Sequence, residues 1–141
     1  MSIVQISVFL ENKPGRLADL TKLLADNGID LKSLSIAETN DFGILRLIVD
    51  DHEKAQNVLS AGNYICKATK VIGVKLQDKP GGMAEVLQVF SKENISIEYA
   101  YAFISHDTDN AYMVCKVADE ESATEKLQNA GIRIVSKEDI F

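Results

Sequence analysis

The chain has 141 residues, 46% hydrophobic and 26% charged, an ordinary globular balance that allows one domain or two very small ones. A formal charge of −6 and an isoelectric point near 4.9 argue against a nucleic-acid or acidic-membrane surface, where Lys and Arg would dominate. No apolar run reaches the roughly 20 residues that span a bilayer.

The first residues, Met1-Ser2-Ile3-Val4-Gln5, lack the basic segment and long apolar stretch of a secretory signal. Val4, Ile6, Val8 and Leu10 then alternate with Gln5, Ser7 and Phe9, and this period of two predicts a strand. Pro14-Gly15 opens a segment whose Leu17, Leu20, Leu23 and Leu24 form one helical stripe, ended by Asn27-Gly28. Residues 29–37 and 42–49 are β-rich runs around a Thr39-Asn40-Asp41 turn, so they predict a hairpin. Ala55, Val58 and Leu59 mark a second amphipathic helix stopped at Gly62, and Tyr64-Ile65-Cys66 begins a fourth strand.

From Lys70 to Ile134 the same order returns. Pro14 and Pro80, the only prolines, stand 66 residues apart in matching Lys-Pro-Gly contexts, "ENKPGRLADL" and "QDKPGGMAEV". At that offset Ile6, Val8 and Leu10 fall on Ile72, Val74 and Leu76, and Leu20 and Leu24 fall on Val86 and Phe90. The offset grows past the hairpin turns, where insertions cost little. The reading is a duplication: an α+β chain of two ferredoxin-like βαββαβ repeats, residues 1–68 and 69–141. Each would have an antiparallel sheet with its helices on one face. Repeats this small, joined without a Gly/Ser/Pro linker, are expected to pack together as a pseudo-dimer.

The Lys-Pro-Gly turns invite two readings. In one they are strand-to-helix turns, with proline costing no helix hydrogen bond and Asn12 or Asp78 capping the helix. In the other, glycine clears the approach to a helix amino terminus, whose free N–H groups and partial positive charge suit an anionic group.

The element order, the Asx-x-Pro-Gly-x-(apolar) turn and the helix exits "LLADNGIDL" and "FSKENISI" resemble the ACT domain family over nearly the whole chain. That resemblance implies a non-catalytic regulatory module holding a free amino acid at the interface of two ACT units. Its walls would be the strand-to-helix turn of one unit and the helix-exit loop of its neighbour. Carried over, the turn residues are Asn12, Pro14, Gly15, Arg16 and Leu17, and Asp78, Pro80, Gly81, Gly82 and Met83. The exit residues are Asn27 and Ile29, and Asn94 and Ile95. Arg16 matches Gly82 and Asn12 matches Asp78, so the sites are expected to differ: Arg16 can grip a carboxylate, whereas Gly82 leaves room and backbone only. The chain begins at Met1 and the repeats use it up. A free-standing sensor is therefore expected, read out by a separate enzyme or by homo-oligomerisation.

The remaining features are read blandly. Tyr99, Tyr101 and Phe103 share one strand face, but without surrounding Lys and Arg they suit a buried face or dimer contact better than nucleic acid. His106-Asp107-Thr108-Asp109-Asn110 lacks the Gly and distal Glu of a calcium loop and reads as a polar hairpin tip, so no metal is expected. His52 is expected to be exposed, and Glu138-Asp139 to be solvated tail charges. Cys66 and Cys115, far apart and without a CxxC pair, read as reduced, buried thiols, in keeping with a cytoplasmic location. No nucleophile–base pair or phosphate loop is recognisable, so neither enzyme nor cofactor is expected. Two rivals stand beside the sensor reading: a ligand-free assembly module, and an enzyme working in the interface cleft.

Overall fold

A computed structural model describes residues 2–38, 41–104 and 109–141. The elements, in order, are β1 (Ile3–Glu11), α1 (Arg16–Asp26), β2 (Leu31–Glu38), β3 (Phe42–Val49), α2 (His52–Ala61), β4 (Ile65–Gln77), α3 (Gly82–Lys92), β5 (Tyr99–Ile104), β6 (Asn110–Lys116), α4 (Glu120–Asn129), β7 (Ile134–Val135) and α5 (Lys137–Ile140). The chain divides into two compact units. The first is Val4–Thr69; the second is Lys70–Phe141 together with the amino-terminal residues up to Ile3. Strand β4 supplies the last strand of the first unit and the first strand of the second.

Each unit is a βαββαβ repeat. In the first the strand order is β2-β3-β1-β4, with β1 antiparallel to β3 (Val8 opposite Leu45) and β2 antiparallel to β3 (Ile36 opposite Leu45). In the second the order is β5-β6-β4-β7, with Val74 opposite Met113 and also opposite Ile134. The period-two residues face the helices as expected. Ile6, Val8, Leu10, Leu45 and Leu47 meet Leu20, Leu24 and Leu59 in one core. Ile72, Val74, Leu76, Met113 and Cys115 meet Val86, Phe90 and Leu127 in the other.

All four long helices end alike. After α1, Ile29 N–H donates to Leu24 O and Gly28 N–H to Ala25 O; after α3, Ile95 and Asn94 do the same with Phe90 and Ser91. These are paired 6→1 and 5→2 closures around a left-handed residue, Gly28 at φ 70° and Asn94 at φ 58°. α2 and α4 close in the same way through Asn63 and Gly131. α2 stops at Gly62 as expected, and Gly62 also serves packing: a Cβ there would lie 2.8 Å from Leu23 Cδ2, while Asn63 takes the left-handed turn.

The carboxyl terminus departs from expectation. Asp139, read as a solvated charge, accepts from Ser136 N–H at 2.8 Å and Ser136 Oγ at 3.1 Å and so starts α5. α5 in turn buries Ile140, and its Asp139 carbonyl accepts from the Tyr112 hydroxyl at 3.1 Å. Tyr112, Val114, Val135 and Ile3 are likewise buried, so the second unit has apolar residues packed on the sheet face away from α3 and α4. Tyr99, Tyr101 and Phe103 lie half-buried on that face, and Phe103 meets Tyr112 edge to face at 5.6 Å. His52, expected to be exposed, is half-buried, and its Nδ1 has no partner among the described residues. Cys115 is buried, whereas Cys66 is only half-buried. Thr39-Asn40 of the first hairpin turn and residues 105–108, which include His106-Asp107-Thr108 of the polar tip, lie outside the described residues.

Candidate functional site

The Lys-Pro-Gly segments are tight turns that precede their helices. Gly15 sits at φ 87°, ψ −14° and Gly81 at φ 86°, ψ −10°, with Arg16 N–H closing on Lys13 O at 3.3 Å and Gly82 N–H on Lys79 O at 3.0 Å. Proline at the second position and a positive-φ residue at the third define a type II turn. Glycine is therefore demanded by its φ. A Cβ at either position would meet nothing within 4 Å, so both corners are open.

The caps differ from expectation. Neither Asn12 nor Asp78 caps a helix: Gly15 and Gly81 are the N-cap residues, and neither helix start has a side-chain cap. By contrast Asp51 caps α2 by accepting from Lys54 N–H, and Asp119 caps α4 by accepting from Ser122 N–H. The two helices that follow Pro-Gly thus begin with donors left uncapped by any side chain, at the end that favours negative charge.

A cleft of about 400 Å³ opens beside the first turn, lined by Leu10, Glu11, Asn12, Lys13, Arg16, Leu17, Ile36, Phe42 and Gly43. The second unit repeats it at about 290 Å³ with Leu76, Gln77, Asp78, Lys79, Met83, Ala102, Phe103, Ile104 and Ala111. Each cleft is built within one unit, from the end of its first strand, its turn, its first helical residues and its hairpin. Of the expected turn residues, Asn12, Arg16 and Leu17 line the first cleft and Asp78 and Met83 the second. Pro14, Gly15, Pro80, Gly81 and Gly82 stand in the adjoining turns without lining it.

The exit residues lie elsewhere. Ile29 is buried in the first core, and Asn27 Nδ2 donates back to Leu23 O at 2.8 Å. Asn94 and Ile95 line two further depressions at the end of α3. Sequence reasoning missed the hairpin wall of the first cleft, Ile36, Phe42 and Gly43. Its signal was faint: two bulky apolar residues in a β-rich run, 49% and 51% exposed.

Charge separates the two clefts. In the first, Glu11 faces Lys13 Nζ at 3.0 Å and Arg16 Nη2 at 3.6 Å. The Lys13 hydrogen bond and charge, then the Arg16 charge, hold the Glu11 carboxyl below its ordinary range. Two cations against one anion leave this cleft net positive. In the second, Gln77 and Gly82 stand in place of Glu11 and Arg16, and Asp78 balances Lys79. Gly82 does not leave room, contrary to expectation: it is buried, and a Cβ on it would run into the Gln77 carbonyl oxygen.

Among the described residues, no group of three His, Cys, Asp or Glu is placed to hold a metal ion, and no helix is long and apolar enough to cross a membrane.

The ACT domain pair family model matches residues 1–141. The crystal structure of protein BT0572 from Bacteroides thetaiotaomicron is 37% identical to this chain. It superposes with a TM-score of 0.92 over 99% of this chain and 96% of that one. The ligand-free regulatory subunit of aspartate kinase from Thermus thermophilus shares the fold at 16% identity and a TM-score of 0.65, covering 90% of this chain and 91% of its own. The corresponding subunit from Thermus flavus does so at 15% and 0.64, covering 89% and 88%. A comparison with curated proteins returned no match.

Proposed function

The chain belongs to the ACT domain pair family, and from that premise we propose that it is a non-catalytic, cytoplasmic regulatory protein that binds a free amino acid. The first-unit cleft is the primary seat, with Asn12, Arg16 and Leu17 contacting the ligand at the open Pro14-Gly15 corner. The family resemblance adds the helix-exit residues Asn27 and Ile29, and Asn94 and Ile95, as further candidates. Asp78 and Met83 are the counterparts in the second unit, beside Pro80, Gly81 and Gly82.

The observation that carries this reading is the start of α1, which no side chain caps, at the rim of a net-positive cleft with an apolar wall. A volume of about 400 Å³ falls within the roughly 300–1,000 Å³ usual for small-molecule sites. Carboxylate to cation and helix start, ammonium to the Asn12 amide oxygen or Glu11, and side chain to Leu17 and Ile36 satisfies every part of an amino acid. A ligand seated better in one conformation shifts the population toward it, and a separate enzyme or a second copy of the chain reads that shift.

A thermal-shift screen of the full chain against the twenty amino acids tests this. Ligand at 100 times its dissociation constant adds about 2.7 kcal/mol, enough to raise the melting point by several degrees. No shift with any of them overturns the reading. A second reading, a ligand-free assembly module, is favoured by Leu34 and Ile36 on β2 and Ile104 on β5, exposed by 42%, 49% and 74% on strands that end the path of sheet neighbours. It predicts self-association that the double variant Leu34→Lys, Ile104→Lys abolishes, with no response to amino acids.

A further inference from the structure

On the reading that the first-unit cleft takes a free amino acid, we infer that the Glu11–Arg16 pair selects zwitterions, so that each chain binds one apolar amino acid rather than two. The two charges lie close enough to attract and too far apart to bond. Arg16 Nη2 to Glu11 Oε1 is 3.6 Å, beyond the roughly 3.2 Å limit of a good N–H···O hydrogen bond. Both side chains are open to solvent, 46% and 41%, and an exposed pair of this kind is held weakly. A ligand parts them at small cost.

An α-amino acid carries the matching charges on adjacent groups. Its carboxylate accepts two N–H donors from the Arg16 guanidinium, and its ammonium donates to Glu11, which Lys13 keeps ionised at 3.0 Å. Its side chain is left on Leu17, Ile36 and Phe42, which carry no charge. A 2-oxo acid of the same skeleton turns a carbonyl oxygen toward the Glu11 carboxylate, acceptor against acceptor. An alkylamine leaves Arg16 without an anion. Each amputated analogue is therefore disfavoured for a different reason.

The duplication supplies an internal comparison. Sixty-six residues on, both members of the pair are gone together, replaced by Gln77 and Gly82. The cation cannot be restored by simple substitution, because any Cβ at Gly82 runs into the Gln77 carbonyl. The second cleft keeps its place beside the turn and loses the selector.

Calorimetry on the full chain provides the test, with L-leucine, L-valine and L-phenylalanine as ligands and 4-methyl-2-oxopentanoate and 3-methylbutylamine as amputated probes. The expected result is one equivalent of an apolar amino acid per chain, with both probes roughly tenfold weaker or worse. Glu11→Gln should weaken the amino acid by roughly tenfold and leave the oxo acid no weaker, while Arg16→Gln should weaken both. Two equal equivalents per chain, or Glu11→Gln binding the amino acid as tightly as wild type or more tightly, overturn the selector and leave the amino-acid reading standing. No binding of any of the twenty amino acids overturns that reading, and the selector with it.

Discussion

Gly82→Ala sets two physical effects against each other. Gly82 is the first residue of α3, and its φ is not among the positive values, so backbone conformation permits alanine. Helix propensity alone predicts a gain of up to about 1 kcal/mol. Sterics predicts the reverse. The new Cβ overlaps the Gln77 carbonyl oxygen and lies 3.0 Å from its carbon, and clearing the oxygen requires one backbone segment to move by roughly 1 Å or more. Neither is free to do so. Gln77 O already accepts from Lys79 N–H at 3.0 Å, Gln77 pairs with Asn110 in the sheet, and Gly82 N–H closes the turn on Lys79 O at 3.0 Å. The first unit shows what relief requires: with a side chain at Arg16, the equivalent closure lengthens to 3.3 Å. Forcing that change on a buried helix start costs about 1–3 kcal/mol, with part of a hydrogen bond added, and the net expectation is a loss of about 2 kcal/mol. Urea denaturation of the full chain reads this as a lower midpoint at unchanged slope. Gly81→Ala is the companion. Open space surrounds it, so its loss of about 1–2 kcal/mol reflects its left-handed backbone alone. A Gly82→Ala protein as stable as wild type, or more stable, refutes the steric argument and returns the position to propensity.

Two further outcomes follow from the second unit and its tail. Burial pushes the Cys115 thiol up to about 12, so at pH 8 an aromatic disulfide reagent should label the half-buried Cys66 and reach Cys115 only after denaturant is added; equal rates for both would contradict that burial. The Asp139 carboxyl is held below its ordinary value chiefly by the Ser136 N–H, then by the Ser136 hydroxyl and the charges of Arg133 and Lys75. A depressed carboxylate contributes its stability above the unfolded value and loses it as pH falls through the folded one. Asp139→Asn should therefore cost about 0.3–1 kcal/mol at neutral pH, and the gap in melting temperature should close under acid. A gap independent of pH would show that the ionised cap is not its source.

Much of the architecture was legible because duplication writes each signal twice. The alternation Ile6, Val8, Leu10 and its echo Ile72, Val74, Leu76 gave the core face of both first strands. The apolar stripes gave α1 and α3, and helix ends were visible at Asn27-Gly28 and at Gly62. Less legible was anything that depended on which backbone group a side chain would reach. Asn12 and Asp78 fit the composition of a cap, yet the type II turn places glycine at that position. Asp139 looked like a tail charge, because nothing local shows that Ile140 and Tyr112 will hold a four-residue helix against the sheet. Gly62 was legible as the stop of α2, but not that Leu23 leaves no room for a side chain there, nor that Asn63 takes the left-handed turn.

The amino-acid order alone determined the two βαββαβ repeats, their core faces and the glycines at the Pro-Gly corners, since periodicity and backbone φ preferences act over a few residues. Tertiary structure decided the composition of each cleft. Ile36, Phe42 and Gly43 join Glu11 and Arg16 only through the pairing of β1 with β3 and β3 with β2, and a register shift of one residue in those strands would carry the Ile36 and Phe42 side chains to the other face. It also decided that position 82, the counterpart of Arg16, has no space for a methyl group. The sequence already made the two turns unlike; long-range pairing and close packing, which no local pattern encodes, decided what surrounds each of them.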